Sequence, residues 1–501
     1  MLLRPDGADF RLILSYTARV LFGVGLAMLV PAAVAFGLGE TLDGWSFVLG
    51  GSLAIAIGRL GVMGLATRRP LHTSHALASV ALSWLSAPLL AALPLLLSGH
   101  YVSYLDAYFE AMSGFATIGL TLANDLDHMS RSVNLWRHLM QFIGGQGVVV
   151  VVLTAFSSGA ARLGTLYSGE GREDVILPNI VRTARFIWRV ALVYGALGTA
   201  ALWAAVVSAG LPAGEGLYHA LNLFMAAFDT GGFSTQSTSV AFYRSPLVES
   251  VLLVIMTAGA FSFALHYQLW QGRRRELLVN TETRTVFTST LLVLTVMAIG
   301  LARTATFDGF DPLYRHTLFQ TISAHTTTGL ATVPGRLFVT DWGALAPGAL
   351  VAAMAIGGMA GSTAGGIKGI RLGVVLKGLK AEIRRVLLPE HAVVVETYHA
   401  GVREIVRGPQ VRDAALLLLL WLALYLAGAI VGLFYGYPLE LSLFESVAAA
   451  SSGGLSVGLV RPDLEAPLKV IYMAQMVTGR LEFIAVFALV GYAVSVVRGR
   501  V

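Results

Sequence analysis

Two kinds of hydrophobic pattern alternate along this chain. Apolar runs of span length are separated by shorter stretches of helical period, and each short stretch leads into a small, hydroxyl-rich loop that holds a glycine. The long runs lie near residues 12–38, 46–66, 74–98, 132–157, 184–209, 246–271, 284–303, 344–367, 413–435 and 467–497. Each offers the roughly 20 apolar residues that a bilayer-spanning helix needs. The first two predict an N-terminal hairpin. The other eight pair as 74–98 with 132–157, 184–209 with 246–271, 284–303 with 344–367 and 413–435 with 467–497, and each pair brackets one glycine loop. The stretches before the loops, such as 104–115 and 313–325, are too short to span. They predict re-entrant pore helices, which persist at membrane depth only when buried in protein or lining water. Partial negative charge at their inward C-terminal ends favours a cation.

The four loops occupy residues 116–121, 230–235, 326–332 and 451–456, and their glycines Gly119, Gly232, Gly329 and Gly454 are 113, 97 and 125 residues apart. Four such loops in one chain can surround a single axis, which points to an ion-selectivity filter. A dehydrated cation needs closely spaced oxygens, and rings of backbone carbonyls supply them. Glycine reaches the φ values that aim successive carbonyls at one axis. Thr117, Ile118, Gly231, Thr328 and Gly453 complete the predicted filter. Phe109, Phe319 and Phe444 each precede their glycine by ten residues. The second loop breaks this spacing, with Tyr218 fourteen before Gly232, so its pore helix is expected to be longer or differently bent, and Gly231 is an alternative register. Small residues in spans also serve helix packing, but repetition at one position of four units favours the filter.

Composition narrows the class. The chain is 56% hydrophobic and only 13% charged, with a mean hydropathy of +0.72, whereas a soluble domain carries about 25% charged residues. This is an integral membrane protein. Without cysteine, disulfides, thiolate zinc sites and thiol catalysis are excluded. The first apolar run is too long for a signal sequence and is expected to stay as a span. Basic residues collect between the units: Arg68 and Arg69; Arg162, Arg172, Arg182, Arg185 and Arg189; Arg273, Arg274, Arg275 and Arg284; and a long junction from Lys368 to Arg412. Acids such as Glu40, Asp106, Glu110, Asp308, Glu440 and Glu465 populate the other side. By the positive-inside rule both termini are cytoplasmic and all four loops open outward. The expected organisation is a hairpin at 1–70 and units at 71–160, 161–275, 276–385 and 386–501. The fold class is therefore an all-α integral membrane protein, with four pseudo-symmetric helix–pore loop–helix repeats around a central pore plus an N-terminal two-helix hairpin.

Below the third loop, Gly357, Gly358, Gly361, Gly365 and Gly366 interrupt the second helix of their unit together with Ser362 and Thr363. Each interior glycine costs a helix about 1 kcal/mol relative to alanine, so the helix should break there; a Gly-x-x-x-Gly packing face is the alternative. The stretch also approaches a phosphate-loop pattern, but Ile367 stands where the lysine belongs, and nucleotide binding is rejected. Arg480 is a charge within the last span, predicted to face a cavity or to pair with Glu482. Lys368 marks the end of the broken helix or snorkels from it. Asp229 adds negative field near the mouth or is a solvated or hydrogen-bonded loop acid, and His325 is expected to be a buried, hydrogen-bonded histidine. No Ser/His/Asp set or metal-ligand spacing points to an enzyme, and no nucleic-acid partner is expected.

These residues carry a resemblance. Residues 109–119, the stretch from Trp136-Arg137 to Gly147, residues 230–235, 326–329 and 357–368, and Gly479-Arg480-Leu481-Glu482 resemble the Trk/Ktr/HKT superfamily of potassium transport proteins, most closely the bacterial Trk-type membrane subunit. The likeness spans the whole length. It implies potassium uptake across a bacterial inner membrane, with K⁺ the transported ion held at Ile118, Gly119, Gly231, Gly232, Thr328, Gly329, Gly453 and Gly454. Four glycines at the filter positions imply potassium, since serine at the first position accompanies sodium transport in relatives. The family reading makes residues 357–368 a gating intramembrane loop with Arg480 beneath the filter as a barrier. It also implies a homodimer in membrane lipid and a cytosolic, TrkA-type regulatory ring that carries the nucleotide. The chain departs from the Trk pattern at Ala116-Thr117-Ile118 and at Ser451-Ser452-Gly453-Gly454. A sodium-selective or Na⁺/H⁺-coupled relative, and the ion-binding subunit of an ATP-driven potassium pump, are the alternatives.

Overall fold

The computed structural model describes residues 5–67, 69–123, 125–147, 180–307, 309–389 and 391–498. Helices dominate. α1 (Gly7–Leu38) and α2 (Thr41–Gly64) form the hairpin that the first two apolar runs predict. α3 (Thr73–Leu97), the short α4 (Tyr104–Phe115) and α5 (Arg131–Gly145) follow. The second unit comprises α6 (Ile180–Ser208), α7 (Ala213–Phe228), α8 (Pro246–Ala260) and α9 (Phe263–Trp270). The third comprises α10 (Thr281–Thr304), α11 (Phe310–His325), α12 (Leu345–Ile356) and α13 (Gly369–Leu387). A two-stranded hairpin, Thr397–Ala400 with Val402–Ile405, leads to α14 (Gly408–Phe434), α15 (Leu439–Ala450), α16 (Ala466–Arg480) and α17 (Ile484–Val497).

Among the described residues six helices are long and apolar enough to cross a membrane, and two bent helix pairs qualify if each counts as one span. Their surfaces require lipid. The most apolar stretch of α10 has a mean hydropathy of 2.0 with only 22% of it buried, so most of an apolar helix faces outward. The interior carries the polar groups instead: Asp106, Glu110, Arg137, Gln141, Gln320, Glu445 and Lys469 are all buried.

The second helices of the units depart from the predicted continuous spans. The run at 246–271 is α8 and α9, bent by 103° at Phe261-Ser262, and that at 467–497 is α16 and α17, bent by 116°. The run at 344–367 stops at Ile356 and resumes as helix only at Gly369. Local chemistry explains each break. Ser262 caps a new helix by accepting the Leu265 amide, and its side-chain oxygen satisfies a donor that a continuous helix would use itself. Glu482 and Phe483 have φ values of 51° and 71°, and Gly357 has 72°, conformations that end a right-handed helix. The run at 132–157 is helical over Arg131–Gly145; its part beyond 147 lies outside the described residues, as do Arg68, Arg162, Arg172, Asp308 and the expected boundary at 160.

The four units contact one another in cyclic order. Tyr218 donates to the Arg131 carbonyl between the first and second. Arg315 forms an ion pair with Glu249 between the third and second, and Tyr425 reaches the Ala355 carbonyl between the fourth and third. Lys469 closes the circle through a buried ion pair with Asp106 of α4. Within the first, second and fourth units, the short helix is wedged against its following helix at a glycine. A Cβ on Gly144, Gly259 or Gly479 would collide with the carbonyl oxygen of Phe115, Phe228 or Ala450, the last residues of α4, α7 and α15. We therefore expect Gly259→Val to abolish a monodisperse, folded protein in detergent. Gly348→Ala, where nothing lies within 4 Å, should leave the thermal midpoint within a few degrees, as surface-like changes within about 0.5 kcal/mol do.

Candidate functional site

Each short helix ends the same way. The residue after its cap is left-handed, with φ of 52°, 48°, 55° and 57° at Thr117, Thr230, Thr327 and Ser452. The next amide then bonds back five residues: Ile118 to Ser113, Gly231 to Ala226, Thr328 to Ser323 and Gly453 to Ala448, at 2.7–2.9 Å. These are Schellman-type ends, but Thr or Ser occupies the position usually taken by glycine, at about 1–2 kcal/mol each. Two residues after each comes the predicted glycine, also left-handed, with φ of 91°, 76°, 86° and 64° at Gly119, Gly232, Gly329 and Gly454. Left-handed residues on both sides of Ile118, Gly231, Thr328 and Gly453 repeat one backbone turn four times.

The loops meet. A Cβ on Gly119 would strike the carbonyl of Gly231, and one on Gly232 the carbonyl of Thr328. A Cβ on Gly329 would run into the Gly454 backbone, and one on Gly454 into the carbonyls of Ile118 and Thr328. Each glycine thus faces the next loop and the sequence of neighbours closes on itself. No side chain fits between them, and the oxygens gathered there are backbone carbonyls. Above them opens a cavity of about 260 Å³ lined by all four glycines, with Thr121, Ser239 and Ser456 among its polar groups.

Buried polar residues hold the loops from behind. Glu110 accepts the Thr121 hydroxyl and the Leu122 amide, both at 2.9 Å, and pairs with Arg137 at 2.8 Å, with both side chains wholly buried. Arg137 also donates to Asn134 and to the Ser234 carbonyl of the next loop, and lies 4.1 Å from the centre of the Phe233 ring. Breaking such a buried pair from one side costs about 3–5 kcal/mol. Glu445 plays the matching part in the fourth unit, accepting the Ser456 hydroxyl and the Val457 and Leu459 amides. Gln320 bonds the Thr332 hydroxyl in the third. In the second, Gln141 of α5 bonds the Gly231 carbonyl and the Phe233 amide.

Beneath the loops, residues 357–368 form no helix. Gly357, Gly361 and Gly366 are left-handed, as is Lys368, whose ammonium turns back to the Ala364 carbonyl. The segment is clamped from several sides. The Gly365 amide donates to the Thr327 hydroxyl at 2.8 Å. The Thr363 hydroxyl lies 2.9 Å from the Phe228 carbonyl, 2.8 Å from the Gly259 carbonyl and 3.3 Å from the Thr230 hydroxyl. Met359 and Gly361 pair by backbone with Ala260 and Phe263 across the α8–α9 break. Glu282 receives the Ala360 and Ile370 amides, tying both ends of the segment to α10. Gly358 packs with its neighbours Ala364 and Ala260, and Ser362 bonds the Met359 carbonyl. Arg480 donates to the Thr363 carbonyl at 2.9 Å and to the Gly144 carbonyl at 2.8 Å.

Every predicted filter residue lies in this four-loop cluster, and the segment predicted to break lies under it with Arg480. The second loop keeps the register of Gly232. Its helix, Ala213–Phe228, is longer than Tyr104–Phe115 but equal in length to Phe310–His325, and Asn222 rather than Tyr218 stands ten before the glycine. Two readings need correction. Glu482 pairs with Arg371, not Arg480. Lys368 is buried instead of snorkelling. Asp229 is a hydrogen-bonded loop acid: it caps α7 and accepts from Gln146 at 2.7 Å. His325 is buried and bonded to Ser289, as expected. The sequence reading missed the supporting role of Glu110, counted with the outer acids, and of Glu445. Their common place, nine before Gly119 and Gly454, was the available signal.

Comparison with known proteins bears on this arrangement. A family model described as TrkH, cation transport protein, matches residues 44–491. An uncharacterised cation transporter of Methanocaldococcus jannaschii is 29% identical over 96% of this chain and 95% of its own length. The Trk system potassium uptake protein TrkH of Halomonas elongata is 28% identical over 96% of this chain and 98% of its own. The crystal structure of the potassium transporter TrkH from Vibrio parahaemolyticus superposes with a TM-score of 0.79 at 25% identity, covering 96% of this chain and 98% of that one. With the family model matching all but the ends of its length, the chain belongs to the TrkH family of cation transport proteins.

Proposed function

We propose that this protein carries potassium ions inward across a bacterial inner membrane through a filter made by its four glycine loops. The observation that carries the reading is the closed circuit of close approaches from Gly119 to Gly232, Gly329 and Gly454. Carbonyls of Ile118, Gly231, Thr328 and Gly453, with the glycine carbonyls, take the place of the ion's water. The C-terminal ends of α4, α7, α11 and α15 add partial negative charge below. The Halomonas elongata relative is a potassium uptake protein, which supports K⁺ as the ion. In this reading the hairpin at 1–70 precedes units at 71–160, 161–275, 276–385 and 386–501.

The segment with Gly357, Gly358, Gly361, Ser362, Thr363, Gly365, Gly366 and Lys368 is the gate, and Arg480 is its latch and an electrostatic barrier to leak. The arginine-rich junctions face the cytoplasm by the positive-inside rule. They dock a cytosolic, nucleotide-binding ring of the TrkA type, and the chain works as a homodimer.

In a potassium-uptake-deficient strain on limiting K⁺, the wild-type chain with its cognate partner should restore growth. Gly119→Ser, Gly232→Ser, Gly329→Ser and Gly454→Ser should each lower K⁺ over Na⁺ selectivity; failure of wild type to rescue, or unaltered selectivity in all four, contradicts the filter. Arg480→Gln removes charge-assisted hydrogen bonds, each worth about 1.5–3 kcal/mol, so basal K⁺ flux should rise about tenfold or more. Deleting residues 361–365 should also raise it. Unchanged flux in both returns the segment to a packing role.

A further inference from the structure

A second cavity reaches the segment under the filter from the lipid-facing side. It holds about 300 Å³, at the lower end of the roughly 300–1,000 Å³ range of small-molecule sites, and lies between the second and third units. Thr257 and Phe261 line it at the α8–α9 break, Thr290 and Leu294 on α10, and His325 and Gly358 at its floor. Its outer rim is Phe287 and Leu291, exposed by 68% and 53%. Such apolar exposure on a spanning helix faces hydrocarbon, so an occupant enters from the bilayer. The lining on α10 runs from Thr283 to Leu294, about 16 Å of helix at 1.5 Å per residue. That is a narrow slot along a helix, the shape of an extended hydrocarbon chain.

The two ends of the slot differ chemically. Its inner wall is Phe261, Gly358 and His325, and its far end along α10 is the apolar pair Leu291 and Leu294. Its other end lies where α10 begins, beside charge. Arg284 is exposed and precedes Phe287 by three residues and Leu291 by seven, which puts it on the rim side of the helix. Arg273, Arg274 and Arg275, all exposed, stand just upstream. The Thr283 hydroxyl lines the same end, buried and without a hydrogen-bond partner among the described residues. We infer that the slot binds one acyl chain of an anionic phospholipid, with its phosphate headgroup on Arg284 and the arginines at 273–275. The tail packs behind Gly358 and Phe261, whose neighbours Met359 and Ala260 are joined by a backbone hydrogen bond, and so restrains the segment in the conformation seen here. Only this restraint rests on the gate reading; the site itself does not.

The test is lipid retention by the full-length chain in native mass spectrometry, with dioleoylphosphatidylglycerol or dioleoylphosphatidylcholine added. One arginine near a lipid surface contributes about 1 kcal/mol, so wild type should retain the anionic phosphatidylglycerol about fivefold better per arginine engaged. Arg284→Gln should lower that preference about fivefold. Thr290→Phe, which fills the slot, should lower retention of both lipids while remaining monodisperse. No preference in wild type, or equal retention by wild type and Thr290→Phe, overturns the site. In phosphatidylcholine vesicles, added phosphatidylglycerol should reduce K⁺ influx through wild type and not through Thr290→Phe. Retention as expected with influx unmoved would overturn the restraint and leave the site standing.

Discussion

Everything in this molecule depends on four polypeptide loops approaching one another without a side chain between them. Gly119, Gly232, Gly329 and Gly454 each abut the backbone of the next loop, so one added carbon anywhere in the circuit displaces a neighbour. That approach is set up two residues earlier, where Thr117, Thr230, Thr327 and Ser452 hold an unfavourable left-handed backbone. The helix-end hydrogen bonds fix the turn, and Glu110, Gln141, Gln320 and Glu445 hold the loops behind it. Strain of this kind persists only where the surroundings over-determine it. The buried polar network is therefore the condition for the loops, not an ornament of the interior.

The same left-handed residues connect the loops to what lies below. The Thr327 hydroxyl receives the Gly365 amide and the Thr230 hydroxyl approaches that of Thr363. Through Thr363 the contact continues to Arg480 and on to Gly144. A shift of residues 357–368 thus has to exchange hydrogen bonds with the second, third and fourth units together. On the proposed gate reading, this shared set of bonds makes opening a concerted step.

Much of this was legible in the sequence because periodicity and repetition reinforce one another. The hairpin, the short helices before the loops and the break after Ile356 follow from run length and glycine content. The family resemblance added the roles proposed for Arg480 and the broken segment. The bend at Phe261 was not legible because the run at 246–271 stays apolar through it, whereas the charges at Arg480 and Glu482 that interrupt 467–497 point to a cavity or an ion pair and not to a turn. Charge was misread for a related reason. Glu110 looks like a surface acid until the fold supplies Arg137, and Glu482 looks paired with its neighbour Arg480 until Arg371 arrives from α13. Partners distant in sequence decide the state of a buried charge, and one sequence does not disclose them.

The central claim is that a dehydrated cation sits among the backbone carbonyls where the four loops meet. Anomalous diffraction from crystals grown in rubidium or thallium salts tests it most directly. The account predicts a peak on the axis level with the carbonyls of Ile118, Gly231, Thr328 and Gly453. It predicts loss of that peak when a sodium salt is exchanged in and back-soaking is omitted. A peak found only elsewhere, beside Asp229 for example, with none among the four loops, would contradict it.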